Sequence, residues 1–361
     1  YWMSSQTPAV KTPASGRKIG LLDFGIRLSA VVLAFVFTSL ILLLVKADPL
    51  EAYKNIFIGA FGTTIKFTSV VASWVPLVIA TSGLLFTFTA GLWNIGMEGQ
   101  IVFGSVFAVG AFRLLDNTAM DPSLVIFIVF IAGALGGILW ALLPGLMKIY
   151  GGVNEIFGGL GLNFVAKTVA IWLIFGPWKR PGVASGSGTE WIDVKYRLAT
   201  LPGTNLSLTI LIIAVIIAIL TAILLKGTHF GLKLKAIGKN DKAAYLLGIP
   251  TTRYFLMAFG MCGLFAGIAG AILVTSKQYS LIPDAGFGYG FLGLLVAMLV
   301  NYHPIWSSVV AIFFAALSIG NTQLQYMGLN TYFAGVLQGI LVLFVVLVDG
   351  MRKRLVRKRR S

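Results

Sequence analysis

The chain has 361 residues, 58% of them apolar and only 11% charged, against roughly 45–50% and about 25% in soluble domains, which excludes an ordinary soluble globule. A formal charge of +16 would suit nucleic acid only on a soluble face, and here the basic residues fall between apolar runs, so no nucleic-acid partner is expected. One cysteine, Cys262, and two histidines, His229 and His303, exclude an internal disulfide and a His-rich metal centre.

Residues 1–25 read as a solvated tail, with Met3 behind Tyr1-Trp2 as a candidate initiator. Apolar runs suited to crossing roughly 30 Å of hydrocarbon then follow near 26–45, 67–90, 99–115, 123–147, 156–176, 206–225, 254–275, 287–300, 304–322 and 332–349. Val45-Lys46-Ala47 after the first run superficially resembles a cleavage site, but the run is long for a signal peptide and nine more follow, so an uncleaved helix is expected. The longest gap, 177–205, is below the roughly 40 residues that a domain needs to fold without special help. The expectation is an all-α polytopic membrane protein of about ten helices, with 26–349 as one transmembrane domain and 350–361 as a basic tail. Ten spans put both termini on one side, with the loops around 148 and 226–253. That side carries twice as many basic residues as the other, which makes it cytoplasmic. The tail then anchors near anionic lipid.

Two glycine-dense breaks interrupt the apolar sequence, one at Ala90 to Gln100 and one at Ala285 to Gly293. They lie five spans apart, an odd offset, so spans 2–5 and 7–10 run in opposite directions, as inverted repeats in transporters do, with interrupted segments marking the pathway. Ionisable residues within spans are expensive and default to function, which singles out Glu98, Glu155 and Lys167. Asn94 and Glu98, four apart, share a helix face that lines a polar cavity; alternatively, Glu98 caps the third span, and both readings stay open. Glu155, beside Asn154, carries the same capping alternative. Lys167 either pairs with a carboxylate across the bundle or snorkels.

The amides Asn163, Asn321, Gln323, Gln325 and Gln338 fit interhelical hydrogen bonds as well as solute contact. Trp93, Trp172, Phe287, Tyr289 and Phe291 either stack on a flat ring or pack. Gly133 with Gly137, and Gly263 with Gly267, read as helix-packing pairs. In the loop 226–253, which contains Lys235, glycines bracket a short helix predicted over 241–247; its alternative is a plain basic loop near headgroups. The chain has no phosphate-binding loop, no H-E-x-x-H and no G-x-S-x-G, so no catalytic or metal residue is expected.

Three segments carry a resemblance to permease subunits of bacterial ATP-binding-cassette importers, the branch serving ribose-type sugars, branched-chain amino acids and nucleosides. Asn94-Ile95-Gly96-Met97-Glu98-Gly99-Gln100 is close to the family's N-I-G-x-E-G-Q. Gly238-Lys239-Asn240, Ala243-Ala244 and Gly248-Ile249 are similar to its ATPase-docking loop, and Gly263 to Ala271 to the following span. Asn154-Glu155-Ile156 with Leu162-Asn163 is most like the nucleoside-type members. Leu292 stands where the family often has an acid, and Asp241 where proline is common.

The resemblance implies import of a nucleoside or related small polar solute across the bacterial cytoplasmic membrane, by alternating access. It implies a separate ATPase that holds ATP-Mg, a second permease as homo- or heterodimer, and an extracytoplasmic solute-binding lipoprotein, with no cofactor on this chain. The expected pathway residues are Trp93, Asn94, Glu98, Asn163 and Phe287. The expected docking residues are Lys235, Gly238, Asn240, Ala243, Ala244 and Gly248. Rival readings are a permease for a simple sugar or branched-chain amino acid, an ion-coupled secondary transporter with Glu98 and Lys167 as its coupling pair, and a membrane scaffold or enzyme.

Overall fold

The computed structural model describes residues 32–182, 188–327 and 335–348 apart from 341 and 345. The predicted tails 1–25 and 350–361 and the Met3 start lie outside the described residues. Among the described residues the chain is helical, with a single isolated bridge, Lys179 to Thr189. Among the described residues seven helices are long and apolar enough to cross a membrane, against the ten spans expected.

Among the described residues two compact units emerge, one of residues 32–49 with 336–348 and one within 50–335. In the first, α1 (Val32–Leu44) and a C-terminal helix α13 (Gly335–Val348) bring the Phe37 and Phe344 rings to 5.6 Å. The second contains α2 (Pro49–Phe61), α3 (Thr64–Thr89), α4 (Met97–Leu115), α5 (Pro122–Gly151), α6 (Glu155–Phe175), α7 (Leu208–Gly227), α8 (His229–Lys239), α9 (Asp241–Leu246), α10 (Thr251–Leu273), α11 (Tyr289–Leu299) and α12 (Pro304–Gly320).

Helix ends follow local chemistry. Thr63 caps α3 by accepting from the Lys66 N–H, Asp121 caps α5 ahead of Pro122, and Asn154 caps α6 through the Ile156 N–H, each satisfying a donor with no intrahelical partner. Gly152, left-handed at φ 64°, stops α5. The centre is a glycine seam: Gly133 and Gly137 of α5 lie against the backbone of Gly263 and Gly267 of α10, with no room for a Cβ. These are the pairs that read as packing in sequence.

Three elements differ from the sequence expectation, one of them α8 (His229–Lys239), which is helical where only a loop ahead of the 241–247 helix was expected. Pro49–Phe61 is helical where a gap between spans was expected, and it packs with Gly59 on the backbone of Gly320. The predicted span 287–300 is an eleven-residue helix, α11, about 16 Å long and therefore only half a crossing. The cause is local: Phe287 and Gly288 both have positive φ (51° and 72°), and Asn301 and Tyr302 do the same at the other end (48° and 61°), so the helix is cut on both sides. The break that sequence placed before it thus shortens the span itself.

Candidate functional site

The two interrupted segments meet. The Glu98 carboxylate, in the first turn of α4, accepts the Gly288 N–H on Oε1 and the Gly290 N–H on Oε2, both at 2.8 Å. It therefore caps α11, in the other half of the chain, and not its own helix. The positive end of a helix dipole and its free N–H groups make this a strong seat for an anion. The glycines are what let it form: a Cβ on Gly290 would stand 2.5 Å from the Glu98 backbone nitrogen, and one on Gly286 would overlap the carboxylate.

The first break is held from three sides. Asn94, fully buried, exchanges amide hydrogen bonds with Gln100 at 3.1 and 3.3 Å, donates to Cys262 Sγ at 3.1 Å and accepts the Gly96 N–H. Asn163 on α6 accepts the Gly99 N–H at 2.7 Å and donates to the Ile95 carbonyl at 2.9 Å. Glu155 accepts the Trp93 N–H at 3.4 Å and pairs with Lys148 at 2.6 Å. Asn94, Asn163 and Glu155 thus satisfy backbone groups of the break, as an interrupted helix in a bundle requires, and Gln100 fixes the Asn94 amide.

Lys167 pairs with Asp284, at 2.7 Å, and not with Glu98. Trp93 and Phe287 are partly exposed; Trp93 lies 5.5 Å from the Phe88 ring. None of the five expected pathway residues lines a cavity of about 400 Å³ that is bounded by Ser73, Asn205 and Lys277 among others. Sequence reasoning passed over Lys277 because it counted as one basic residue beyond a span; its place in the five-residue π turn that ends α10, Val274–Gln278, was the missing signal.

At the other end of α3 sits the loop singled out for docking. It forms two helices: α8, with Leu234 and Ile237 buried, and α9, capped by Asn240 Oδ1 accepting the Ala243 N–H at 3.0 Å. Gly248 turns the chain at φ 81°. Ala244 is buried, while Tyr245, Leu246 and Leu247 are 68%, 85% and 82% exposed. Lys235 and Asn240 are exposed as well. Gly238 presses on the Thr89 carbonyl and the Gly91 backbone, leaving no space for a Cβ, so the loop touches the first residues of the break that leads to Glu98. Gly238→Ala is accordingly expected to lower stability by about 1–3 kcal/mol through overpacking, read as a lower melting temperature in detergent micelles; an unchanged melt would show that the contact gives way freely.

His303 caps α12, its Nδ1 accepting the Trp306 N–H at 3.4 Å, with the Lys226 ammonium 2.8 Å from Nε2. Burial, and then the Lys226 charge, hold its pKa below the usual imidazole value. The unfolded chain therefore binds the proton first: the contribution to stability is present above pH about 6.5 and is lost as pH falls through the unfolded and then the folded value. Melting temperature is expected to drop between pH 7.5 and 5.5, and less so in His303→Asn; equal drops in both proteins would assign the effect elsewhere.

The bundle contains a joint between two broken helices, with a capped loop against one break and the cavity lined by Lys277 near the other, and interrupted segments of this kind mark the pathway of membrane transporters. The family pattern described as "Branched-chain amino acid transport system / permease component" matches residues 66–346, and the chain belongs to that family of multi-pass membrane permeases. It is 26% identical over 340 residues to a glucose ABC transporter permease protein of Haloferax volcanii, covering 90% of this chain and 87% of that one. It is 24% identical over 329 residues to a nucleoside ABC transporter permease protein of Lactococcus lactis subsp. cremoris (88% and 89% covered). It is 25% identical over 322 residues to a guanosine ABC transporter permease protein of Bacillus subtilis (88% and 91%).

Proposed function

We propose that this chain forms the translocation pathway of an ATP-binding-cassette importer for a nucleoside or related small polar solute in the bacterial cytoplasmic membrane, with both termini and the α8–α9 loop cytoplasmic. The observation that carries the reading is the α9 surface: three consecutive large apolar side chains, Tyr245, Leu246 and Leu247, stand exposed on a helix fixed at both ends. Such a patch marks a protein contact, and the partner is an ATPase subunit that supplies ATP and Mg. ATP-driven closure of that partner moves α8, and the contact of Gly238 with the break passes the movement toward Glu98. A second permease completes the pathway and a solute-binding lipoprotein delivers the solute. Receptor and ATP each bias the switch through different affinities for its two states. Nucleoside as the solute rests on the names of the Lactococcus and Bacillus relatives and on the Asn154-Glu155-Ile156 segment.

The test is uptake of labelled guanosine, glucose and leucine into vesicles containing this chain, with and without its candidate ATPase and receptor. Guanosine uptake that requires both partners is the expected result. Uptake by this chain alone, abolished when the ion gradient is collapsed, would overturn it in favour of secondary transport; a preference for glucose or leucine would correct the solute.

A further inference from the structure

We propose that the cavity bounded by α3, the 200–205 segment and the Val274–Gln278 turn is a subsite for a polyhydroxylated solute that presents an acceptor oxygen, neutral or anionic, to the Lys277 ammonium, and that the same site refuses cations. The proposal deepens the import reading by naming the chemistry of the solute, and it rests on that reading for the cavity's role. An ammonium carried on a spanning helix ordinarily finds a carboxylate. Lys277 forms no ion pair among the described residues, and no acid lines the cavity.

Its partners are neutral. Nζ donates to Tyr289 Oη at 2.8 Å and to Ser73 Oγ at 3.4 Å, and it sits 5.0 Å from the Phe287 ring centre and 5.3 Å from that of Tyr289. An ammonium has three donors, so one is left for a ligand. Thr200, Asn205 and Ser276 contribute hydroxyls and an amide that both donate and accept to a wall that also carries apolar side chains such as Ile210, Leu273 and Ile319. The volume, about 400 Å³, falls in the roughly 300–1,000 Å³ range of small-molecule sites. Tyr289 is also the first residue of α11, between the two N–H groups that hold Glu98. An acceptor that draws Lys277 off Tyr289 therefore acts on the joint itself, which gives cavity occupancy a route to the break.

The experiment uses the single native cysteine's burial. In Ala72→Cys, a cavity-lining position, the new thiol is the accessible one, and the chain in lipid nanodiscs is labelled with methanethiosulfonates bearing either a sulfonate or a trimethylammonium group. After normalisation to a free thiol, the sulfonate reagent is expected to react at least about tenfold faster, as a cleft of one sign of charge enriches its counter-ion. Lys277→Met is expected to erase the preference and Lys277→Arg to keep it. Guanosine and glucuronate are expected to slow labelling, and glucosamine to leave it unchanged. Equal rates for the two reagents, absence of protection by guanosine and glucuronate, or equal protection by glucosamine would overturn the proposal. Labelling needs neither ATPase nor receptor, so its failure leaves the import reading standing, and a failure of uptake leaves the subsite standing.

Discussion

Glu98→Ala is expected to abolish uptake and to cost the fold about 2–6 kcal/mol, because it leaves two N–H donors without a partner, at roughly 1–3 kcal/mol each. Both bonds, to the Gly288 and Gly290 N–H groups, lie between segments about 190 residues apart in sequence. No local rearrangement replaces them, and the first turn of α11 keeps N–H groups that have lost their partner away from water. Glu98→Gln retains one acceptor and turns an amide donor toward the other N–H, so it should lose roughly half as much stability. Gly290→Ala approaches the same joint from the opposite side, since its Cβ would stand 2.5 Å from the Glu98 nitrogen, and it should reproduce the uptake defect with Glu98 intact. Thermal unfolding in nanodiscs, together with guanosine uptake in the complete transporter, checks all three. Wild-type melting and uptake in Glu98→Ala would mean that α11 is held by packing alone.

The second large effect belongs to α9. Leu246→Asp with Leu247→Asp should reduce coupled uptake at least about a hundredfold and release the ATPase on co-purification, because charged groups in the core of an interface are left desolvated without partners. The fold should be untouched: both side chains are more than four-fifths exposed, and substitutions at such positions usually stay within about ±0.5 kcal/mol. Ala244→Arg is the weaker experiment, since Ala244 is buried and an arginine there disrupts the α9 turn as well as any docking. An ATPase that still co-purifies with the double aspartate variant, and still drives uptake, would remove α9 as the docking element.

Much of the local architecture was legible in the residues. The apolar runs located the long helices, because about 20 residues without charge have no other use in this composition. Caps such as Asn154, and the glycines at 152 and 248, ended or turned helices where local backbone chemistry requires it. The heptapeptide from Asn94 to Gln100 was recognisable as a break, and 241–247 as a short helix bracketed by glycines, although α8 before it and the Asn240 cap were not foreseen. Glu98 was legible as a capping carboxylate but not as the cap of α11, and Lys167 as one half of an ion pair but not of one with Asp284.

Sequence by itself therefore determined the all-helical, membrane-spanning class, the place of both interruptions and the identity of the polar groups at them, because hydropathy, glycine content and capping act over a few residues. Only the tertiary structure decided which interruption faces which. The pairing of Glu98 with Gly288 and Gly290, the cut that leaves α11 half a crossing long, and the cavity around Lys277 each depend on groups distant in the chain. Nothing in a local window measures that: a carboxylate needs two donors and an ammonium needs acceptors, and where they find them is set by how glycine seams let the helices approach.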